Sequence, residues 1–195
     1  NYRIEAGKPY IIRHIAYQMD DLVIYDFIEK DSLNSCIRKD MPFDVVALDN
    51  ERQRITKLLQ DNGYYKFNKD FIVYQADTAR NTYDVNLTMK LLPYQRRKED
   101  TPTKHKQYTV RNVNFLAEEN ASLTDKNYTG YDSLHHKGLN IYYKDKAYLR
   151  PNTLANFNYI RPGELYSDQD VQTTFTSMGR LRALKYTNIR FDEVL

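Results

Sequence analysis

Apolar residues alternate and then change period, in the same order, at two places along the chain. In Tyr10-Ile11-Ile12-Arg13-His14-Ile15-Ala16-Tyr17 the large apolar residues stand at 10, 12, 15 and 17. In Tyr108-Thr109-Val110-Arg111-Asn112-Val113-Asn114-Phe115 they stand at 108, 110, 113 and 115, an offset of 98 throughout. Each stretch opens with the alternation of a strand and shifts parity between its second and third apolar residue, which predicts a bulge or twist in mid-strand. Further on, Phe43, Leu48, Ile55 and Leu58 recur as Tyr166, Val171, Met178 and Leu181, at an offset of 123. Spacings of seven and three place the last three of each set on one helical face, so each copy reads as a strand followed by an amphipathic helix. The offsets differ by 25 residues, and the second copy carries about that much insertion.

Punctuation residues fill in the rest. Asp44 caps the first long helix, Val45, Leu48, Ile55, Leu58 and Leu59 face inward, and Asn62-Gly63 supplies a left-handed stop. In the second copy Ser167 caps with Asp170 three residues on, and Val171, Phe175, Met178, Leu181 and Leu184 form the buried stripe. Shorter helices are expected at Asp31 to Ile37 and at Pro151 to Asn158, where Pro151 suits a first turn. Phe71 to Asp77 and Tyr83 to Tyr94, joined by a turn near 79–82, read as a β-hairpin, and Tyr186 to Phe191 as the corresponding strand of the second copy. Residues 117–148 read as a long surface loop, with a short strand at Leu139 to Tyr143 inside it. The fold class is therefore α+β, with two β-α-α-β-β modules, each a small three-stranded sheet packed under two helices. Residues 1–9 read as the end of a preceding module, 10–94 as a complete one, 95–106 as a linker, and 107–195 as a second one without its last strand.

Composition sharpens this picture by exclusion. Among 195 residues, 41% are apolar and 13% aromatic, enough for a core, and no apolar run approaches the ~18 residues of a membrane-spanning helix. The start, Asn1-Tyr2-Arg3-Ile4-Glu5, has neither Met nor the order of a signal peptide, and the chain is read as a piece of a longer protein. A net charge of +3, spread along the chain, does not favour capture of nucleic acid. Cys36 is the sole cysteine and reads as a small buried side chain. The 18 tyrosines, with no tryptophan, suit half-buried strand and helix ends with a polar rim.

A tandem β-α-α-β-β unit whose long helix ends in Gly-Tyr-Tyr before the hairpin resembles the POTRA domains of the BamA/TamA family, and within it the TamL-type lipoproteins of Bacteroidetes. The residues that carry the likeness are Gly7-Lys8-Pro9-Tyr10-Ile11-Ile12, Phe43-Asp44, Leu48 to Ile55, Asp61-Asn62-Gly63-Tyr64-Tyr65-Lys66-Phe67 and Ala76-Asp77-Thr78. In the second unit they are Leu149-Arg150-Pro151, Ile160 to Ser167 and Ile189-Arg190-Phe191. The resemblance implies a periplasmic segment of an outer-membrane protein assembly or translocation factor, attached to the membrane through the full-length protein. It implies no catalysis and no cofactor. Its partners would be outer-membrane barrel precursors or assembly proteins, and the C-terminal barrel of the same parent chain. It further implies that clients add to an exposed sheet edge by main-chain hydrogen bonds. By position that edge is Phe71, Ile72, Val73, Tyr74 and Gln75, continuing to Asp77, with Tyr186 to Phe191 as its counterpart. Tyr64 and Tyr65 either line the adjacent groove or pack the helix end onto the sheet.

Other chemistry is weaker. Glu51, Arg52 and Arg54 offer an acid and an electrophile, but read as solvated charges on a helix face. His135 and His136 with Asp132 suggest a small enzyme's loop or a metal site, yet adjacent histidines point apart and no companion ligand spacing accompanies them. A KH-like nucleic-acid module shares the strand-helix-helix-strand order, but no GXXG occurs in the chain. The sequons at Asn86, Asn120 and Asn127 would matter only in a eukaryotic secretory pathway.

Overall fold

The computed structural model describes residues 7–78, 82–97, 99–116, 128–147, 149–184 and 186–194. Most of the expected terminal tail, most of the turn at 79–82 and the sequons at Asn120 and Asn127 lie outside the described residues. Two compact units form, one of residues 1–60 and 66–106, the other of residues 61–65 and 107–195.

The first unit runs β1 (Ile11–Gln18), α1 (Leu22–Lys30), α2 (Val45–Gln60), β2 (Ile72–Thr78) and β3 (Asp84–Leu91). Its sheet has the order β1-β3-β2, with β1 parallel and β2 antiparallel to the central strand. The parity shift read in the sequence is a real irregularity, because the β1–β3 register slips between Ile12 and His14. Val85, Leu87 and Met89 alternate along β3 and are buried, together with Ile12, Ile24, Ile28, Leu48, Ile55 and Leu59. Asp44 caps α2 by accepting from the N–H of Val46 at 2.9 Å.

One helix is misplaced in the sequence reading. Residues 31–37 hold only a 3₁₀ turn at Ser32–Asn34, and the short helix is α1, capped by Asp21, which accepts from Val23 and Ile24. The unbroken run Leu22-Val23-Ile24-Tyr25 hides a helical period in which Ile24 and Ile28, four apart, face inward while Leu22 and Val23 stay exposed.

The second unit runs β4 (Val113–Leu116), β5 (Asp132–His136), β6 (Leu139–Tyr143), α3 (Pro151–Phe157) and α4 (Asp168–Gly179). Its sheet order is β4-β6-β5, with β4 parallel and β5 antiparallel to the central strand, the arrangement of the first sheet. Here the hairpin precedes the helices in the chain. The stretch expected as a surface loop thus supplies two of the three strands, joined by a tight turn in which Lys137 and Gly138 take φ of +51° and +80°, as a primed hairpin turn requires. Tyr186 to Phe191, expected as a strand, is neither helix nor strand. The central place it would have flanked belongs to β6, and Phe191 instead packs its ring on Tyr65 and Tyr166. Ile141, Leu149, Leu154 and Met178 form the core, with Phe115, Leu134, Phe157, Leu181 and Leu184 against it. Helix α4 stops at Gly179, and Phe175, expected in the buried stripe, is exposed while Thr174 is buried.

The two offsets read in the sequence reappear as hydrogen bonds. Outside β1, Phe43 N–H donates to the Tyr10 carbonyl, Ile12 N–H to the Met41 carbonyl, and Asp40 N–H to the Ile12 carbonyl. In the second unit Tyr166 donates to Tyr108, Val110 to Glu164, and Gly163 to Val110. Strand residues are related by 98 and strap residues by 123. The isolated bridges Ile11–Pro42 and Thr109–Leu165 obey the same rule. So does the backbone, which turns left-handed at Asp40 (φ +66°) and at Gly163 (φ +87°). Each strap clasps the outer edge of its strand where the chain enters the sheet.

Candidate functional site

The predicted edge is built by the end of α2, the turn at Lys69–Phe71 and β2. Asn68 caps that turn, accepting from the N–H of Asp70 at 2.9 Å. Phe71 closes it, its ring near Phe67, Tyr94 and His105, and its carbonyl accepts from Leu92 N–H at 2.8 Å. In an antiparallel ladder inward and outward pairs alternate, so the odd residues 73, 75 and 77 bond to β3, and the even residues direct their N–H and C=O groups outward.

The outward groups differ along the strand. Ile72, fully buried, has both engaged: its N–H donates to the Lys69 carbonyl and its carbonyl accepts from Nε of Arg52 at 2.7 Å. No described residue bonds to the outward groups of Tyr74, Ala76 and Thr78. The strand passes from buried at Ile72 through half-buried Val73 and Tyr74 to exposed from Gln75 onward. The Tyr74 hydroxyl is buried without a hydrogen-bond partner, and burial pushes its pKa up.

Tyr64 and Tyr65 fall in the second unit. Tyr64 is buried, and Tyr65 sits in a ring cluster with Tyr108, Tyr166 and Phe191 at centroid distances of 4.9 to 6.0 Å. The counterpart edge is not at 186–191: the terminal strand in the position equivalent to β2 is β5. His135 and His136 stand on that strand, one beside Asn140 at 3.0 Å and the other beside Asn152 at 2.8 Å, so adjacent strand positions send them to opposite faces. Residues 95–106 fold onto the first unit. Tyr94 and Thr103 exchange main-chain bonds, and His105 donates from Nε2 to the Leu92 carbonyl at 2.9 Å.

Glu51 departs most from its sequence reading. It is buried rather than solvated, and accepts from Nε and Nη2 of Arg54, from Oγ of Ser35 and from the Cys36 N–H. Arg54 also reaches Asp31. The carboxylate thereby pins the 31–37 segment to α2, and Cys36, expected to be buried, is exposed beside it. Arg52 was equally hidden in the sequence, because its partner lies 20 residues away and is a main-chain carbonyl, which no side-chain spacing can announce.

No protein-family model and no curated protein matches the sequence. Among solved structures, POTRA domains 3–5 of BamA from Haemophilus influenzae superpose with a TM-score of 0.52 at 12% identity, over 95% of this chain. The fold is POTRA-like. The chain spans 56% of that BamA fragment. The N-terminal domain of Omp85 from the cyanobacterium Thermosynechococcus elongatus matches with a TM-score of 0.25 at 11% identity, over 90% of this chain and 87% of that one. In both POTRA-like units the sheet presents a terminal strand antiparallel to its centre, β2 in one and β5 in the other. Among the described residues no helix is long and apolar enough to cross a membrane.

Proposed function

We propose that the chain is the periplasmic POTRA segment of an outer-membrane protein assembly or translocation factor of the BamA/TamA type, closest to the TamL lipoproteins. In this reading it works without catalysis or cofactor, as a scaffold attached to the outer membrane through the parent protein's barrel. It holds unfolded barrel precursors or assembly partners as an added strand on β2, with Phe71 to Gln75 at the start of the platform. The observation that carries the reading is the row of unengaged outward main-chain groups at Tyr74, Ala76 and Thr78. Such groups accept any extended chain irrespective of its side chains, which suits a partner that must bind many clients.

Ala76→Pro tests this, since proline at an outward position removes a donor from the edge without breaking a bond to β3. In-cell photocrosslinking from Gln75 should capture barrel precursors in the wild type and lose them in Ala76→Pro, while thermal unfolding changes little. Capture that survives the substitution, or no capture at all, rejects the proposal.

A further inference from the structure

The edge of β2 is not uniformly available, and its closed end is made by named groups. Ile72 is the first residue whose main chain points outward, yet its N–H is held by the Lys69 carbonyl and its carbonyl by Arg52. Arg52 is itself positioned: Nη1 lies 3.9 Å from Asp49, and Asp49 in turn takes Lys69 Nζ at 3.0 Å. A charged donor on a carbonyl is stronger than the neutral main-chain donor an incoming strand would bring, so a guest does not readily displace it. Beyond Ile72 the outward groups of Tyr74, Ala76 and Thr78 are met by no described residue.

We infer that Arg52 is a register-determining residue. By occupying the Ile72 carbonyl it forces an added strand to start its pairing at Tyr74. The occupant is an extended polypeptide, because a row of alternating N–H and C=O groups along a strand is matched only by another peptide backbone. This rests on the docking reading above and adds to it a stop. Pairing begins at a fixed residue and runs toward Thr78, so a guest is bound in one register and not slipped by two residues, the smallest shift that keeps its faces.

The experiment uses the full chain carrying Cys36→Ser and a single cysteine in place of Val73, Gln75 or Asp77, which lie on the face of β2 away from Ile72. The probe is a ten-residue alternating Thr-Val peptide with one central cysteine, and disulfide formation is followed at each position. With Arg52 present, cross-linking should favour positions 75 and 77 over 73 by at least tenfold. Arg52→Met, which keeps the apolar stem and removes the donor, should raise the yield at 73 to that of 75. Arg52→Lys, which keeps a charged donor, should restore the wild-type pattern, and circular dichroism confirms folding of each variant. An unchanged profile in Arg52→Met, with cross-links still formed at 75 and 77, overturns the register inference and leaves docking intact. No cross-link at any of the three positions overturns both.

Discussion

Glu51 accepts from Nε and Nη2 of Arg54 at 3.0 and 2.8 Å, one helical turn apart, with the carboxylate almost wholly withdrawn from solvent. The same carboxylate takes Ser35 and the Cys36 N–H, so it ties a segment with little secondary structure of its own to the longest helix. Removing one member of a buried pair leaves an uncompensated charge at a cost of about 3–5 kcal/mol. Glu51→Ala is expected to lose stability in that range in urea unfolding, and Glu51→Gln, which keeps an acceptor, to lose less. Equal stability of Glu51→Ala and the wild type would show the cage to be dispensable.

Acid should destabilise the chain in two separable steps. Burial raises the Glu51 carboxyl, but Arg54, the Cys36 N–H and Ser35 outweigh it and leave the pKa below its ordinary value. A carboxylate with a depressed folded pKa binds fewer protons than its unfolded form. Its contribution is therefore complete above the unfolded value of about 4.3 and is lost as pH falls from there toward the folded value. Burial lowers the pKa of His105, against the bond to Leu92 which raises it, so the folded state favours neutral imidazole. That contribution is present above about pH 6.5 and declines as pH falls through the interval below. Melting temperature followed from pH 8 to 2 should show both declines. His105→Phe should remove the upper one and Glu51→Gln the lower, and superimposable curves would contradict the assignment.

Tyr74→Phe deletes a buried hydroxyl that has no hydrogen-bond partner. A desolvated, unpaired polar group is a cost to the folded state, so the variant should gain about 1 kcal/mol in chemical denaturation. A loss of that size would mean that the hydroxyl is satisfied in solution.

Gly163 holds φ at +87° with open space where a Cβ would stand. Gly163→Ala therefore tests backbone strain without a clash, and should cost about 1–2 kcal/mol, read by thermal unfolding. Asp40, its counterpart, already carries this strain, and offsets it in part through an ion pair with Arg13. Asp40→Gly is expected to be close to neutral, the relieved strain balancing an exposed pair of small worth. A neutral Gly163→Ala would count against the clasp as a conformational requirement.

Features encoded by short-range periodicity were readable from the chain. The slip after Ile12, the Asp44 and Ser167 caps and the alternation of Val85, Leu87 and Met89 all depend on residues within a few positions of one another. What could not be read depends on partners far away. Leu139-Asn140-Ile141-Tyr142-Tyr143 looks like a strand inside a loop until it is paired on both sides, whereupon it becomes the centre of a sheet. Glu51 looks solvated because its neighbours on α2 are polar, and only the approach of Ser35 and Cys36 shows that it is enclosed. At the candidate edge the position of β2 followed from the hairpin pattern of residues 71–94, whereas the engagement of Ile72 by Arg52 did not, because a carbonyl has no letter in a sequence.

The clasp on β1 bears on how many chains one sheet can recruit. A sheet open on both sides can hand pairing from copy to copy and grow into a fibre. Here residues 40–43 already occupy the outward groups of Tyr10 and Ile12, so strand addition is obstructed where β1 begins, as it is at Ile72 on β2. If a guest adds to β2 as proposed, the closed entry of β1 hinders the sheet from passing pairing on to a second copy in the same way.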